Sequence, residues 1–210
     1  MTARIAAASD GAQDTGMSGK SPPEKIPPRE RILAAARELF YTQGIRAVGV
    51  EAIAEAAQTN KMTLYRHFSS KDELVAEYLR SFASEEEAVW GCIAATHPGD
   101  PLAQLKTWIH RMAKDVADPD SRGCALANAA VQLPEAGHPA RCVIENNKRT
   151  HRAHVLALCR EAGLRDPDLV ADGIFLMLEG ARVNIQSEGH GGPACRFVAL
   201  SEDLIASHSR

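Results

Sequence analysis

Apolar positions along this chain recur mostly at helical spacing, and Gly, Pro and polar breakers cut them into segments of helix length. From about Pro28 to Gln43, Ile32, Leu33, Ala36, Leu39 and Phe40 form one inward stripe, with Gly44 where a C-terminal left-handed residue belongs. Val50, Ile53, Ala54 and Ala57 then fall at i, i+3, i+4 and i+7, one face of a second, short helix. Gln58 and Thr59 break that pattern, and Asn60 suits an N-cap for a third helix, Lys61 to Phe68. In it Leu64 and Phe68 point one way while Met62, Thr63 and Arg66 point the other. Ser70-Lys71-Asp72-Glu73 reads as a capping box, Ser70 capping the N3 amide and Glu73 reaching back. It opens a fourth helix that runs from Lys71 to about Ala94.

His97-Pro98-Gly99-Asp100-Pro101 is a clear break. A fifth helix follows Pro101 to about Ala117, carrying Leu102, Leu105, Trp108, Ile109 and Met112. After a polar loop to Gly123, a short apolar helix spans Cys124 to Leu133, and Pro134 to Pro139 interrupts again. A long helix from Pro139 to Ala162 ends at Gly163. Asp166-Pro167, an N-cap followed by Pro at N1, starts a helix to about Glu188 that is apolar nearly all round. Gly189 to Gly192 breaks it, and a last amphipathic helix carries Phe197, Val198, Leu200, Leu204 and Ile205. Nine helices, no convincing strand and no internal repeat make this an all-α chain. Residues 1–27 have no apolar period and read as a disordered tail. Its Lys20 and Lys25 fit either a minor-groove arm or a plain solvated tail.

Composition narrows the class. The 210 residues are 45% hydrophobic and 24% charged, ordinary for a soluble globular protein, and aromatics are only 5%. A net charge of −3 argues against an indiscriminate polyanion binder, although a local basic surface still suffices for DNA. The five cysteines are odd in number and widely spaced, which fits reduced thiols rather than a disulfide framework or zinc ribbon. No stretch reaches the length of a membrane span and the first residues lack the apolar core of a signal peptide, so a cytoplasmic location and no membrane partner are expected.

The chemistry concentrates between Gly49 and Asp72. Two short helices joined by a tight turn, the second exposed and polar, make a helix-turn-helix DNA reader. Thr63, Met62 and Arg66 can read base edges, while Lys61, Tyr65, His67 and Lys71 flank them with groups able to hold phosphates; Asn60 completes the expected DNA-binding set. The bland alternative is a solvated helix face. Glu51 sits near a helix N-terminus, where the dipole alone accounts for a carboxylate.

The run Ile32-Leu33-x-x-Ala36-x-x-Leu39-Phe40-x-x-x-Gly44, then Ile53-Ala54, then Lys61-x-Thr63-Leu64-Tyr65-x-x-Phe68-x-x-Lys71-x-Glu73-Leu74 resembles the TetR family of bacterial one-component transcriptional regulators. The resemblance covers about Pro28 to Tyr78. Gln58-Thr59 stand where the family usually has Gly-Val, and Val48-Gly49 where it usually has Thr or Ser. The resemblance implies a reader at residues 28–75 and, at 76–210, a helical domain that binds a small effector and forms a homodimer. The implied function is a repressor released from a palindromic operator by that effector, with an activator or effector-independent regulator as alternatives.

Within that body, Trp108, Met112, Leu126, Asn128, Phe175, Met177 and Glu179 are candidates for the pocket lining, against ordinary core packing. Surplus apolar residues on the last two helices, Phe175, Leu178, Ile185, Phe197, Leu200 and Leu204, are the expected dimer contact. His151 and His154 lie one helical turn apart but lack an evident third metal ligand, and Cys124 follows Arg122-Gly123 at a helix start, where a thiol can become reactive. These are the features that a helical enzyme or carrier would use. No catalytic motif survives inspection, so neither enzyme chemistry, a cofactor nor a metal is expected.

Overall fold

The computed structural model describes residues 26–209; Lys20, Lys25 and all but the last two positions of the expected tail lie outside the described residues. The elements are α1 (Pro28–Gln43), α2 (Val50–Ala56), α3 (Lys61–His67), α4 (Lys71–Thr96), α5 (Pro101–Ala117), α6 (Ala125–Gln132), α7 (Pro139–Glu161), α8 (Pro167–Glu188) and α9 (Phe197–His208), with a 3-10 turn at Pro193–Arg196 leading into the last. Proline at N1 opens α1, α5, α7 and α8, where its missing N–H has no intrahelical partner to lose.

Local chemistry departs from expectation at three helix ends. Gly44 has positive φ, +89°, but ψ of 151°, so it turns the chain outside the left-handed helical region. Ser70 accepts the Glu73 amide at 3.0 Å as expected, yet the Glu73 carboxylate holds Arg80 at 2.9 Å instead of reaching back. A guanidinium seven residues on supplies a charge-assisted contact that the backbone amide does not. Asp166 does stand at the N-cap of α8, but in left-handed conformation (φ +48°) and with no side-chain cap.

Two apolar cores lie along the molecule. The first holds the helix-turn-helix head: Ile32, Ala36 and Phe40 from α1, Ile53 and Ala54 from α2, Leu64 from α3 and Leu74 to Leu79 of α4. It also takes Ala125, Leu126, Ala129 and Leu133 around α6 and Ala140 and Ile144 of α7, so head and body share it. The second packs Trp90 and Ile93 at the far end of α4 against α5, α7, α8 and α9. At 26 residues, α4 is about 39 Å long and spans both.

The α8 helix is less enclosed than its composition suggests. Val170, Ala171, Ile174, Leu178 and Ala181 face the second core, whereas Leu169, Leu176 and Val183 are 60%, 72% and 64% exposed. Those three sit seven residues apart and form a single outward stripe. Two residues expected at a dimer contact face inward instead: Leu178 and Phe197 are 1% and 2% exposed within their own protomer. A side chain already covered by its own chain has no surface to offer a partner. Phe175, Ile185 and Leu204 are half-buried and Leu200 is exposed.

Candidate nucleic-acid interface and effector cavity

Between α2 and α3 the turn closes as a Schellman motif. The Thr59 amide donates to Ala54 O and the Gln58 amide to Glu55 O, both at 2.9 Å. Gln58 therefore takes φ of +51°, the backbone setting that favours glycine. Asn60 Oδ1 then accepts the Thr63 amide at 2.9 Å and starts α3. Leu64, fully buried, and Phe68, 3% exposed, pin α3 to the head, each burial contributing about 1.5–3 kcal/mol.

What α3 turns outward matches the expected polar set. Met62 is 69% exposed; Lys61, Tyr65, Arg66 and His67 are exposed and Thr63 is half-buried. Arg66 and His67 enter no ion pair among the described residues, so their donors face solvent. Lys61 differs: its ammonium lies 2.7 Å from Glu51 Oε1 on α2. That contact raises the Lys61 pKa and, with a backbone hydrogen bond, lowers that of Glu51. Lys71, at the first position of α4, is half-buried with its ammonium 6.0 Å from the centre of the Phe40 ring. Burial lowers its pKa.

A cavity of about 680 Å³ opens between α1, α4, α5, α6, α7, α8 and the loop ahead of α6. Trp108, Met112 and Leu126 line it, as expected from sequence. The other four expected lining residues do not. Asn128 donates to Arg122 O at 2.7 Å from a neighbouring groove, and Phe175 lies under the Lys148 ammonium at 5.6 Å. Met177 packs against the second core, and Glu179 stands behind the wall, holding Lys148 at 2.8 Å and Arg182 at 3.0 Å. Each belongs to α6 or α8, and the helix rotation turns it off the cavity side.

Sequence reasoning missed the polar groups that do reach this space. Arg182 donates to Glu179 and, at 3.6 Å, to the Met112 thioether. Desolvation alone would lower its pKa, but Cys124, Glu179 and Glu86 together outweigh it and hold it raised. A lone arginine within the apolar run of α8 was the available signal. Glu86 on α4 accepts from Asn147 Nδ2 at 2.8 Å, and its Oε2 lies 3.1 Å from His151 Nε2. Burial pushes the Glu86 carboxyl up, but His151, Asn147 and Arg182 together bring it below its ordinary value.

The histidine pair divides accordingly. His151 turns to Glu86 and the cavity, while His154 stacks on Trp90 at 5.0 Å with Glu87 3.4 Å away. Among the described residues no group of three or more potential metal ligands forms. Cys124 is buried on the cavity wall, where its sulfur caps α6 by accepting the Ala127 amide at 3.5 Å.

The cavity also touches the head directly. Arg37 of α1 forms a paired contact with both oxygens of Glu85 and lies 4.0 Å over Phe82. Tyr41 Oη accepts the Arg122 amide at 2.8 Å and donates to Gly123 O at 3.4 Å. Gly123 has φ of +77°, a backbone setting that favours glycine, and a Cβ there would displace the end of the Gln186 side chain. At the other end of α6, Gln132 Oε1 accepts the Ile45 amide at 2.8 Å, and Arg46 Nε donates to Gln132 O at 2.7 Å.

Residues 32–78 match the family model described as bacterial regulatory proteins, tetR family. The HTH-type transcriptional repressor DhaR of Mycobacterium sp. (strain GP1) is 21% identical over 192 residues, 84% of this chain and 91% of its own length. The HTH-type transcriptional repressor KstR2 of Mycobacterium tuberculosis is 28% identical over 169 residues, 79% of this chain and 83% of its own. A TetR-family transcriptional regulator from Streptomyces coelicolor superposes with a TM-score of 0.79 at 26% identity, covering 87% of this chain and 96% of that one. Among the described residues no helix is long and apolar enough to cross a membrane. With the family model matching the helix-turn-helix head and the likeness to TetR-type regulators continuing through the helical body, the chain is similar to the TetR family of bacterial regulatory proteins, which supports a DNA-binding transcriptional regulator of that type.

Proposed function

We propose that this regulator is a cytoplasmic repressor acting as a homodimer on a palindromic operator and released when a small effector fills the 680 Å³ cavity. Residues 28–75 read DNA, and 76–210 bind the effector and pair the subunits. The observation that carries this reading is α3: a capped helix anchored by Leu64 and Phe68 that presents Arg66 and His67 to solvent without a protein partner among the described residues. Met62, Thr63 and Arg66 contact base edges; Asn60, Lys61, Tyr65, His67 and Lys71 flank them along the phosphates. Lys61 exchanges Glu51 for phosphate on binding, which keeps the head from gripping DNA on charge alone.

The outward stripe of Leu169, Leu176 and Val183 on α8, with Leu200 on α9, supports pairing about a two-fold axis, since such a patch left bare favours aggregation. Two heads so joined read half-sites one helical turn apart. An effector wedged among α1, α4 and α6 favours a conformer with the wrong spacing, and operator affinity falls by differential binding. Residues Arg37, Tyr41 and Gln132 carry that change, being the contacts between head and cavity wall.

Operator selection tests the reading. Arg66→Ala should lose about 1–3 kcal/mol of discrimination at one base position. Lys71→Ala should weaken all sequences alike and lower the salt slope by about one. Unchanged base preference for Arg66→Ala, with uniform weakening, would make it a phosphate contact and take base reading away from this face.

A further inference from the structure

We infer that the cavity takes an amphipathic organic cation, its ammonium held by Glu86 beside His151 and its apolar body lying against Trp108, Met112 and Leu126. This rests on the cavity being the effector site. The first support is charge. Glu38, Glu85, Glu86, Asp115, Asp118 and Asp120 line the space against Arg37, Arg111 and Arg182, a surplus of three negative charges with histidine neutral. Each arginine already faces an acid: Arg37 on Glu85, Arg182 on Glu179, and Arg111 3.5 Å from Asp115. Glu38, Asp118 and Asp120 have no basic partner among the described residues. Acids gathered at one cleft draw cations in and repel anions.

The second support is independent of that count. His151 is 7% exposed and lines the cavity, yet its Nε2 makes no aligned hydrogen bond. It stands 3.1 Å from Glu86 Oε2, which Asn147 already occupies, while Glu86 Oε1 accepts no hydrogen bond among the described residues. Glu86 Oε1 is thus an anionic acceptor open to a ligand N–H group, beside a buried ring nitrogen that has no aligned partner, and a buried polar atom left unmatched is costly.

The remaining wall fits an apolar body. Trp108, stacked on Trp90 at 5.1 Å, is rigid, and Met112 and Leu126 are adaptable neighbours. Arg182 does not make this an anion site. Glu179 holds one of its nitrogens, the Met112 sulfur another, and Glu86 adds a second nearby negative charge. The volume is that of a site for a drug-sized molecule.

The test uses the intact protein and three probes sharing one body: 4-phenylbutylamine, 4-phenylbutanol and 4-phenylbutyrate. Titration calorimetry gives affinities, and fluorescence anisotropy of a labelled operator gives release. The amine should bind at least tenfold tighter than the alcohol, with the carboxylate weakest. Glu86→Gln, which keeps an oxygen for Asn147, should erase the amine's advantage and leave the alcohol within about twofold, so a general loss of folding is visible as loss of both. Asp115→Asn should reduce the amine's advantage in part. The inference is overturned if the carboxylate binds as tightly as the amine, if the preference survives Glu86→Gln, or if none of the probes binds. Selective amine binding without operator release would leave the charge assignment standing and remove the effector reading. Release by the carboxylate alone would do the reverse.

Discussion

Replacing Gln132 by Leu removes a side chain that ties the end of α6 to the linker between α1 and α2, while the contact of Arg46 Nε with the Gln132 carbonyl remains. The Ile45 amide, now accepted at 2.8 Å, belongs to a residue only 4% exposed, so it loses its partner without gaining water. An orphaned buried donor costs about 1–3 kcal/mol. The Arg46 amide, at 3.4 Å from the same oxygen, sits on an exposed residue and turns to solvent at little cost. For a chain of this size that range corresponds to a drop in Tm of about 2–12 °C. Hydrogen exchange should speed up at Ile45 by about 5–150-fold, and operator affinity should fall as the head loses its fixed orientation. Gln132→Glu separates hydrogen bonding from packing, because its carboxylate still accepts both amides and adds attraction for Arg46. It should stay near wild type. If Gln132→Leu keeps wild-type exchange at Ile45 and full operator affinity, the contact does not position the head and the reasoning fails.

Gln58→Gly relieves a non-glycine residue held at φ of +51°, a strain of about 1–2 kcal/mol set against about 0.5–1 kcal/mol of extra chain entropy, so the melt should rise slightly. A fall in Tm would mean that the Gln58 side chain stabilises the turn. Leu176→Glu with Val183→Glu should give soluble monomers by sedimentation and a loss of operator affinity, whereas Leu178→Glu, placed in the core, should unfold the protomer; a double variant that stays dimeric removes the α8 stripe from the interface. The Glu86 pKa is depressed on folding, so its contribution is full above the ordinary value of 4.5 and is lost as pH falls below it toward the folded value. The Tm gap between wild type and Glu86→Gln should therefore be widest near neutral pH and close in acid; a gap that widens in acid contradicts the sign.

Helix placement was legible because punctuation is local. Asn60, Ser70 and Asp100 cap as their residue types require, and prolines mark four helix starts. Facing was not legible where a helix carries apolar residues on every side. On α8 nothing local distinguishes Leu178, which the core buries, from Leu176, which stays exposed; only the packing of α7 and α9 decides. The outward face of α3 was readable because one short helix, capped and anchored locally, sets which side chains it turns to solvent. The cavity draws on six helices and a loop, so Glu86, Arg37 and Tyr41 could not be grouped from spacing along the chain. Glu73 shows a smaller version of the limit: the capping pattern is present, but Arg80 competes for the carboxylate.

The shared first core bears on how DNA specificity could be moved between relatives. A graft ending at Tyr78 would bring the α1 and α4 surfaces of one protein against the α6 residues Ala125, Leu126 and Ala129 of another. Those residues are packed as one interior, where a misfit of a single methylene is felt. Donor sequence at Ala125 to Leu133, and at Ala140 and Ile144, would have to travel with the head. The surface proposed to read DNA is thus exchangeable on α3 itself, one exposed side chain at a time, but not as a module cut where the helix-turn-helix pattern stops.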